Sequence, residues 1–230
     1  MTRYSKEKTV VLESSLWLSR NGYFGTQRGT GGNVSLRLGE SSMAITPSSM
    51  EYEGLTPGDI LVVDFAIAII EGKTGLKPSV ESILHSTIYR NRPDCNAVVH
   101  SHQPYGSALA LINTPVPALF DEVSLALGPL IDIIPYGLSG SPELAANTAT
   151  KLSNNANAYI IQNHGILALG KTMHQALLNA ELLEKVAHAY CLALSTGKAV
   201  TTLPQSVADM FASLRHNDVK EASVTGKGGA

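Results

Sequence analysis

The sequence has 230 residues, of which 44% are hydrophobic and 16% charged, which suits a globular chain that buries its own core. Its net charge of −2 gives no basic excess, so we expect no nucleic-acid partner. The longest apolar run, ILVVDFAIAII, is interrupted by Asp64, and two cysteines make a poor disulfide framework, so we expect no membrane span and a cytoplasmic location.

The N-terminal half predicts helices and strands in alternation. Apolar residues at near-helical spacing predict a helix from Ser5 to Asn21, and Gly22 follows as the stop. A second helix follows Pro78, and a third has Pro104 in its first turn. A glycine-rich loop leads into the first of the expected strands, which are NVSLRL, SMAIT, DILVVDF, AIAII and NAVVHSH.

The C-terminal half carries weaker signals after Thr114, until LIDIIPY predicts one short strand. SPELAANTATKLSNN predicts a helix with Ser141 as its cap and Pro142 at its start. AYIIQNHGILALG predicts two strands, and the long amphipathic segment after them ends at Gly197. The alternation predicts one α/β domain over residues 1–220, followed by a flexible tail at 221–230.

Three histidines form a candidate metal site. His100 and His102 stand two residues apart at the end of an apolar strand, so both side chains face the same side. His164 lies in a turn between two apolar strands, at the edge of the predicted sheet. Hydrogen-bonded core histidines and an exposed turn histidine are the alternatives. Three imidazoles with one open position are typical of a catalytic zinc site.

Glu81 is the candidate acid. It stands at the start of a predicted helix, just before the strand that carries the histidines. A carboxylate is favoured at a helix N-terminus for electrostatic reasons alone, but near a metal it can act as a ligand or a proton carrier. His85, one helical turn later, either supports the site or packs in the core, and the packing role is favoured.

Three loops are rich in glycine or small hydroxyl residues: GTGGNVSL, ITPSS and KPSV. Glycine-rich turns are usually structural, but they also let backbone N–H groups approach an anion. Together the loops predict an oxyanion pocket, with a phosphate as its ligand.

The order of these motifs resembles the class II aldolase/adducin family. The resemblance rests on GTGGNVSLR, ITPSS, LTPGDILVVD, KPSVESILHSTIYRNRPDCNAVVHSHQPYGSALA and QNHGILALGKTMHQAL, and spans roughly residues 8–200. It implies a three-layer α/β/α domain around a largely antiparallel sheet. It also implies a cyclic homotetramer with active sites at the subunit interfaces.

The resemblance also implies a role for each candidate site residue. One Zn²⁺ per subunit, or another divalent ion, would bind His100, His102 and His164, and Glu81 would be the catalytic acid/base. Phosphate binding falls on Gly32, Asn33, Ser48, Ser49 and Ser79.

The sequence departs from the fuculose-phosphate aldolases of this family at several positions. Val80 replaces a second serine before the acid, and Ser49 replaces a glycine. The catalytic tyrosine of those enzymes is missing from VPALFDEV, and no tyrosine follows Tyr190. These changes keep the metal ligands and alter the expected substrate pocket.

The resemblance therefore implies a zinc-dependent aldolase that cleaves a small, fuculose-phosphate-like ketose 1-phosphate through a metal-stabilised enediolate. A dehydratase, a 4-epimerase or a decarboxylase of the same family is the first alternative, because the same intermediate serves all of them. A non-catalytic, adducin-like interaction module is the second.

Overall fold

The computed structural model describes residues 3–26 and 30–225. Helices and strands alternate along the chain. The helices are α1 Ser5–Arg20, α2 Ser82–Asn91, α3 Pro104–Leu111, α4 Asp121–Leu127, α5 Pro142–Lys151, α6 Met173–Ser195 and α7 Gln205–Thr225. The strands are β1 Asn33–Leu38, β2 Ser42–Ile45, β3 Leu61–Asp64, β4 Ile69–Glu71, β5 Ala97–Ser101, β6 Val116–Pro117, β7 Leu130–Ile131, β8 Ile133–Ile134, β9 Ala158–Ile161 and β10 Gly165–Gly170.

The central sheet has eight strands in the order β4-β3-β2-β1-β5-β10-β9-β8. Neighbouring strands are antiparallel except β8 and β9, which are parallel. Strand β5 lies near the middle, between β1 and β10, with Asn33 and Leu167 paired to His100 on its two sides. The predicted, largely antiparallel sheet is therefore confirmed.

Alternate residues of each strand enter two separate cores. In β5, Val99 packs in the core formed with α1, α3 and α6, whereas Val98 packs in the core formed with α2 and α5. Because side chains in a strand alternate between faces, His100 shares the α2 face with Val98. Helices on both faces of one sheet give the predicted three-layer α/β/α arrangement.

The structure confirms the predicted start of α5 and the predicted end of α6. Ser141 Oγ accepts a hydrogen bond from the Leu144 amide at 3.2 Å, as an N-cap of α5 should. Gly197 follows α6 with a φ of +69°, a conformation that glycine adopts without a steric penalty. None of the described helices has the length and apolarity to cross a membrane.

Two sequence predictions were wrong in detail. LIDIIPY forms two short strands, because Leu130–Ile131 pairs with β6 while Ile133–Ile134 pairs with β9. His188, expected in the core, is exposed and stacks on Tyr105 with ring centroids 3.8 Å apart.

Helices α4 and α7 had no sequence prediction. The sequence of α7 shows only a weak amphipathic pattern. Along the part of this helix whose side chains are described, the buried residues are Phe211 and Arg215. The helix extends to Thr225, inside the segment expected as a tail. Residues 226–230 of that expected tail lie outside the described residues.

Candidate metal centre and active site

The three predicted histidines meet at one end of the sheet. His100 is the next-to-last residue of β5, and His102 directly follows the strand. The Nε2 atoms of the two rings are 3.1 Å apart. His164 comes from the turn between β9 and β10, and its ring centroid is 4.7 Å from that of His100. One nitrogen from each ring lies within 4.8 Å of the other two. Such a cluster has the donors and spacing of a three-histidine metal site.

The protonation of His100 supports this fit. Its Nδ1 is 2.9 Å from the Ile166 carbonyl oxygen, which can only accept, so Nδ1 carries the proton and Nε2 is free. Burial lowers the pKa of His100 to about 4, although the Glu81 carboxylate acts to raise it. The free Nε2 then faces Glu81 Oε2, another acceptor, at 3.1 Å. A divalent cation held by the three imidazoles would offset this repulsion with its positive charge, so the donor set fits a metal.

Glycines let the backbone pass close to the imidazoles. A Cβ on Gly31 would lie 2.9 Å from His102 Nδ1, and one on Gly165 would lie 2.7 Å from His102 Cδ2. Gly32 has a φ of +88°, and its Cβ would lie 2.5 Å from the His100 carbonyl oxygen. The site therefore requires glycine at these positions for steric reasons.

Glu81 is buried at the N-terminal end of α2 and contacts the histidine cluster. Its Oε1 is 3.2 Å from His164 Nε2 and accepts a hydrogen bond from Ser139 Oγ at 2.9 Å. Its Oε2 accepts one from Asn33 Nδ2 at 2.6 Å. Burial acts to raise the pKa of Glu81, but His100, His164 and these two donors outweigh it and lower the pKa to about 2. The carboxylate is therefore ionised in the metal-free site.

The predicted anion loops share a pocket with this carboxylate. A cavity of about 130 Å³ is lined by Gly32, Asn33, Ser48, Ser49, Ser79, Glu81, His102 and His164, together with Thr30, Gly31, Pro47, Val80 and Ser139. Among the described residues that line it, none is a lysine or an arginine. An anion in this pocket would be held by hydroxyl and amide groups of this chain.

The departures from the family pattern have visible consequences in the pocket. The side chain of Val80 is 61% exposed at the rim and offers no donor. Ser49 adopts a φ of 58°, a left-handed conformation that is easier for glycine.

Ser139 and Thr30 also add hydroxyl groups to the lining, and neither was predicted as a site residue from the sequence. The segment GLSGSP around Ser139 has the same small-residue pattern that identified the other loops. That pattern was the available signal for Ser139.

Several known proteins resemble this chain in sequence. The sequence model of one protein family, the class II aldolase and adducin N-terminal domain, matches residues 11–191. An L-fuculose phosphate aldolase of Escherichia coli O6:H1 is 35% identical over 84% of this chain and 86% of its own. A 5-methylthioribulose-1-phosphate/5-deoxyribulose-1-phosphate aldolase of Rhodospirillum rubrum is 35% identical over 74% of this chain and 76% of its own.

A solved structure agrees as well. An L-fuculose 1-phosphate aldolase superimposes with a TM-score of 0.83 at 31% identity, covering 91% of this chain and 95% of its own. The fold, the histidine cluster and these matches lead to one assignment. The chain belongs to the class II aldolase and adducin family.

Proposed function

We propose that this protein is a metal-dependent class II aldolase that cleaves a small ketose 1-phosphate by retro-aldol chemistry. The observation that carries the proposal is the contact between one ionised carboxylate, Glu81, and two of three clustered imidazoles. They line a pocket whose other walls carry hydroxyl and amide groups. The aldolases among its relatives support the reaction class.

We assign one metal ion per subunit to His100, His102 and His164, with zinc as the preferred ion. Three histidine ligands would leave a coordination position for the substrate, as in catalytic zinc sites. When bound, the ion would supply Lewis-acid stabilisation of the negative charge that develops on the substrate oxygens as the carbon–carbon bond breaks. Other divalent ions also bind imidazole nitrogen, and metal analysis distinguishes them.

Glu81 is the proposed proton carrier. It accepts the proton of the hydroxyl on the carbon that becomes the aldehyde. The electrons of that O–H bond form the new carbonyl, the carbon–carbon bond breaks, and its electron pair remains on the ketone fragment. Glu81 then returns the proton to carbon. Burial is the largest influence on its pKa and acts to raise it, so a substrate that closes the pocket makes Glu81 a stronger base.

The phosphate is assigned to the loops of Gly32, Asn33, Ser48, Ser49 and Ser79. Ser79 Oγ accepts the Glu81 N–H at 3.2 Å, which leaves its own proton for a ligand. Asn33 Nδ2 gives one proton to Glu81 and keeps a second. The hydroxyls of Ser48 and Ser49 lie 3.2 Å apart on the exposed side of the pocket. These are donors of the kind that phosphate oxygens accept.

A cytoplasmic homotetramer with active sites at the subunit interfaces completes the proposal. Tyr136 and Leu138, in the same loop as Ser139, are 53% and 66% exposed. Exposed apolar side chains in the loop that carries Ser139, a residue of the pocket wall, favour a second subunit covering that loop. Free Cys95 and Cys191 are consistent with a reducing compartment.

The test is a panel of ketose 1-phosphates and their unphosphorylated counterparts, incubated with the zinc-loaded chain. Release of an aldehyde and dihydroxyacetone phosphate, lost on chelation and restored by metal, would support the proposal. Consumption of a substrate without aldehyde release would favour dehydration, epimerisation or decarboxylation. No bound metal and no turnover would favour a non-catalytic, adducin-like module.

A further inference from the structure

A line of buried polar side chains runs from Glu81 into the layer between α2 and the sheet. Glu81 Oε2 is 2.6 Å from Asn33 Nδ2, and Asn33 Oδ1 is 2.5 Å from His85 Nε2. His85 Nδ1 is 2.6 Å from Ser35 Oγ, which is 2.7 Å from the Tyr89 hydroxyl. All five side chains belong to residues that are at most 5% exposed. Glu81 and Asn33 border the pocket, whereas Ser35, His85 and Tyr89 are at most 1% exposed. Because water does not reach these inner three, their protons have to be satisfied within the line.

The carboxylate at one end sets the direction of every bond in this line. An ionised Glu81 only accepts, so Asn33 turns its amide nitrogen to Glu81 and its oxygen to His85. That oxygen also only accepts, so His85 carries its proton on Nε2 and leaves Nδ1 bare. Ser35 then donates to Nδ1, and Tyr89 donates to Ser35. Any other tautomer of His85 places two acceptors or two donors against each other.

His85 keeps one proton over the physiological range. Burial and the neighbouring His100 lower its pKa to about 3, against the opposing effect of Glu81. A neutral imidazole with one proton is a fixed donor on one side and a fixed acceptor on the other. The ring is also held in place, because Ser35 lies on β1 and His85 on α2, two rigid elements.

We propose that His85 is a positioning residue: as the Nε2–H tautomer it fixes the amide of Asn33, and through that amide it orients the Glu81 carboxylate. The inference rests on the proposed function in one respect, since it takes Glu81 as the proton carrier. Without the His85 donor, the Asn33 amide loses the contact that restrains its oxygen, and its side chain can rotate. Its N–H then no longer stays aligned with Glu81 Oε2, and the carboxylate is free to move from its position beside the imidazoles.

Two substitutions of His85 separate this role from simple packing. In His85→Gln, the amide nitrogen occupies the region of Nε2 and can still donate to Asn33. In His85→Asn, the shorter amide reaches the Ser35 side and leaves the Asn33 oxygen without a donor. Both variants lose the ring, so both lose packing.

For the zinc-loaded enzyme, we expect kcat to fall about 10–100-fold in His85→Asn and to stay within about threefold of wild type in His85→Gln. The melting temperature should fall in both variants, and the metal content should stay at the wild-type level. Equal kcat losses in the two variants, or a wild-type kcat in His85→Asn, would overturn the inference.

The tautomer gives a readout that needs no activity. Long-range ¹H–¹⁵N spectra of ¹⁵N-histidine-labelled protein should show the His85 ring with its proton on Nε2, assigned by its absence in His85→Gln. A proton on Nδ1 would overturn this inference and leave the proposed function untouched. Failure of wild type to cleave any ketose phosphate would instead overturn the proposed function.

Discussion

The substitution Glu81→Gln tests the proposed chemistry with little change to the site. Glutamine keeps the volume and one acceptor oxygen, which can still accept the Asn33 amide proton. Its amide nitrogen then faces Ser139 Oγ, a hydroxyl that can turn to accept instead of donate. The variant should therefore fold like wild type, and the three histidines should still bind metal.

The size of the effect distinguishes proton transfer from orientation. Loss of a general acid–base group lowers turnover by about 10²–10⁴, which raises the barrier by roughly 3–6 kcal/mol at about 1.4 kcal/mol per decade. A weakened hydrogen bond to a charged group costs about 1.5–3 kcal/mol, which is roughly 10–100-fold. A loss beyond a hundredfold therefore requires that Glu81 carries protons.

The assay is kcat at saturating substrate, measured together with metal content and melting temperature. Glu53→Gln is a matched control, because Glu53 makes a solvent-exposed ion pair with Arg20, and it should leave kcat unchanged. If Glu81→Gln keeps its metal and turns over within tenfold of wild type, the proton-carrier role is refuted. If it loses its metal, Glu81 is a ligand and the kinetic loss has another cause.

Three other predictions follow from the same geometry. Ser48→Ala should raise KM for a phosphorylated ketose roughly 10–100-fold relative to its unphosphorylated counterpart, since a hydrogen bond to a charged group contributes about 1.5–3 kcal/mol; an unchanged ratio would contradict the phosphate assignment. The folded pKa values of about 3 for His85 and about 4 for His100 lie below the unfolded value of about 6.5. The metal-free protein should therefore keep this stability above about pH 6.5 and lose it as the pH falls toward 3, which urea unfolding at several pH values would detect. Light scattering should give about four times the subunit mass of 24.3 kDa, whereas a monomer at micromolar concentration would contradict the tetramer.

From the sequence, Asn33→Ala looks like a direct test of phosphate binding, but the structure shows that it would change more than the phosphate pocket. Asn33 donates to Glu81 and accepts from His85, so its removal changes the proton carrier together with the pocket. Ser48 makes its side-chain contact with Ser49 and none with Glu81 or the histidines that the structure describes. Ser48→Ala is therefore the cleaner test.

The metal cluster was predictable because its signals are local. Two-residue periodicity places His100 and His102 on one face of β5, and an apolar strand on each side of the His164 turn places that turn at the sheet edge. Ser139 could not be placed this way. Its contact with Glu81 joins residues 58 positions apart and depends on β8 pairing with β9, which no short sequence pattern specifies.

His85 and His188 show that the burial of a histidine in a helix cannot be predicted from its sequence neighbours alone. Both stand among apolar neighbours in the sequence, yet His85 is fully buried and His188 is exposed. The difference comes from which helix face meets the sheet. In α6 that face carries Leu183 and Val186, and His188 lies beyond its edge. Helical periodicity alone did not fix the edge, because α6 has apolar residues around most of its circumference.

One strand pairing sets the positions of the groups that would perform the chemistry. Asn33 in β1 lies opposite His100 in β5, so the amide that holds Glu81 and an imidazole of the metal cluster are fixed by the same ladder. A one-residue shift of either strand would turn its side chain to the other face of the sheet, separate Asn33 from His100 and dismantle the site. The walls of the pocket have no such constraint, because Ser48, Val80 and Ser139 lie outside the strands. Substitutions in these loops should therefore change which substrate binds while the metal chemistry, anchored in the sheet, is retained.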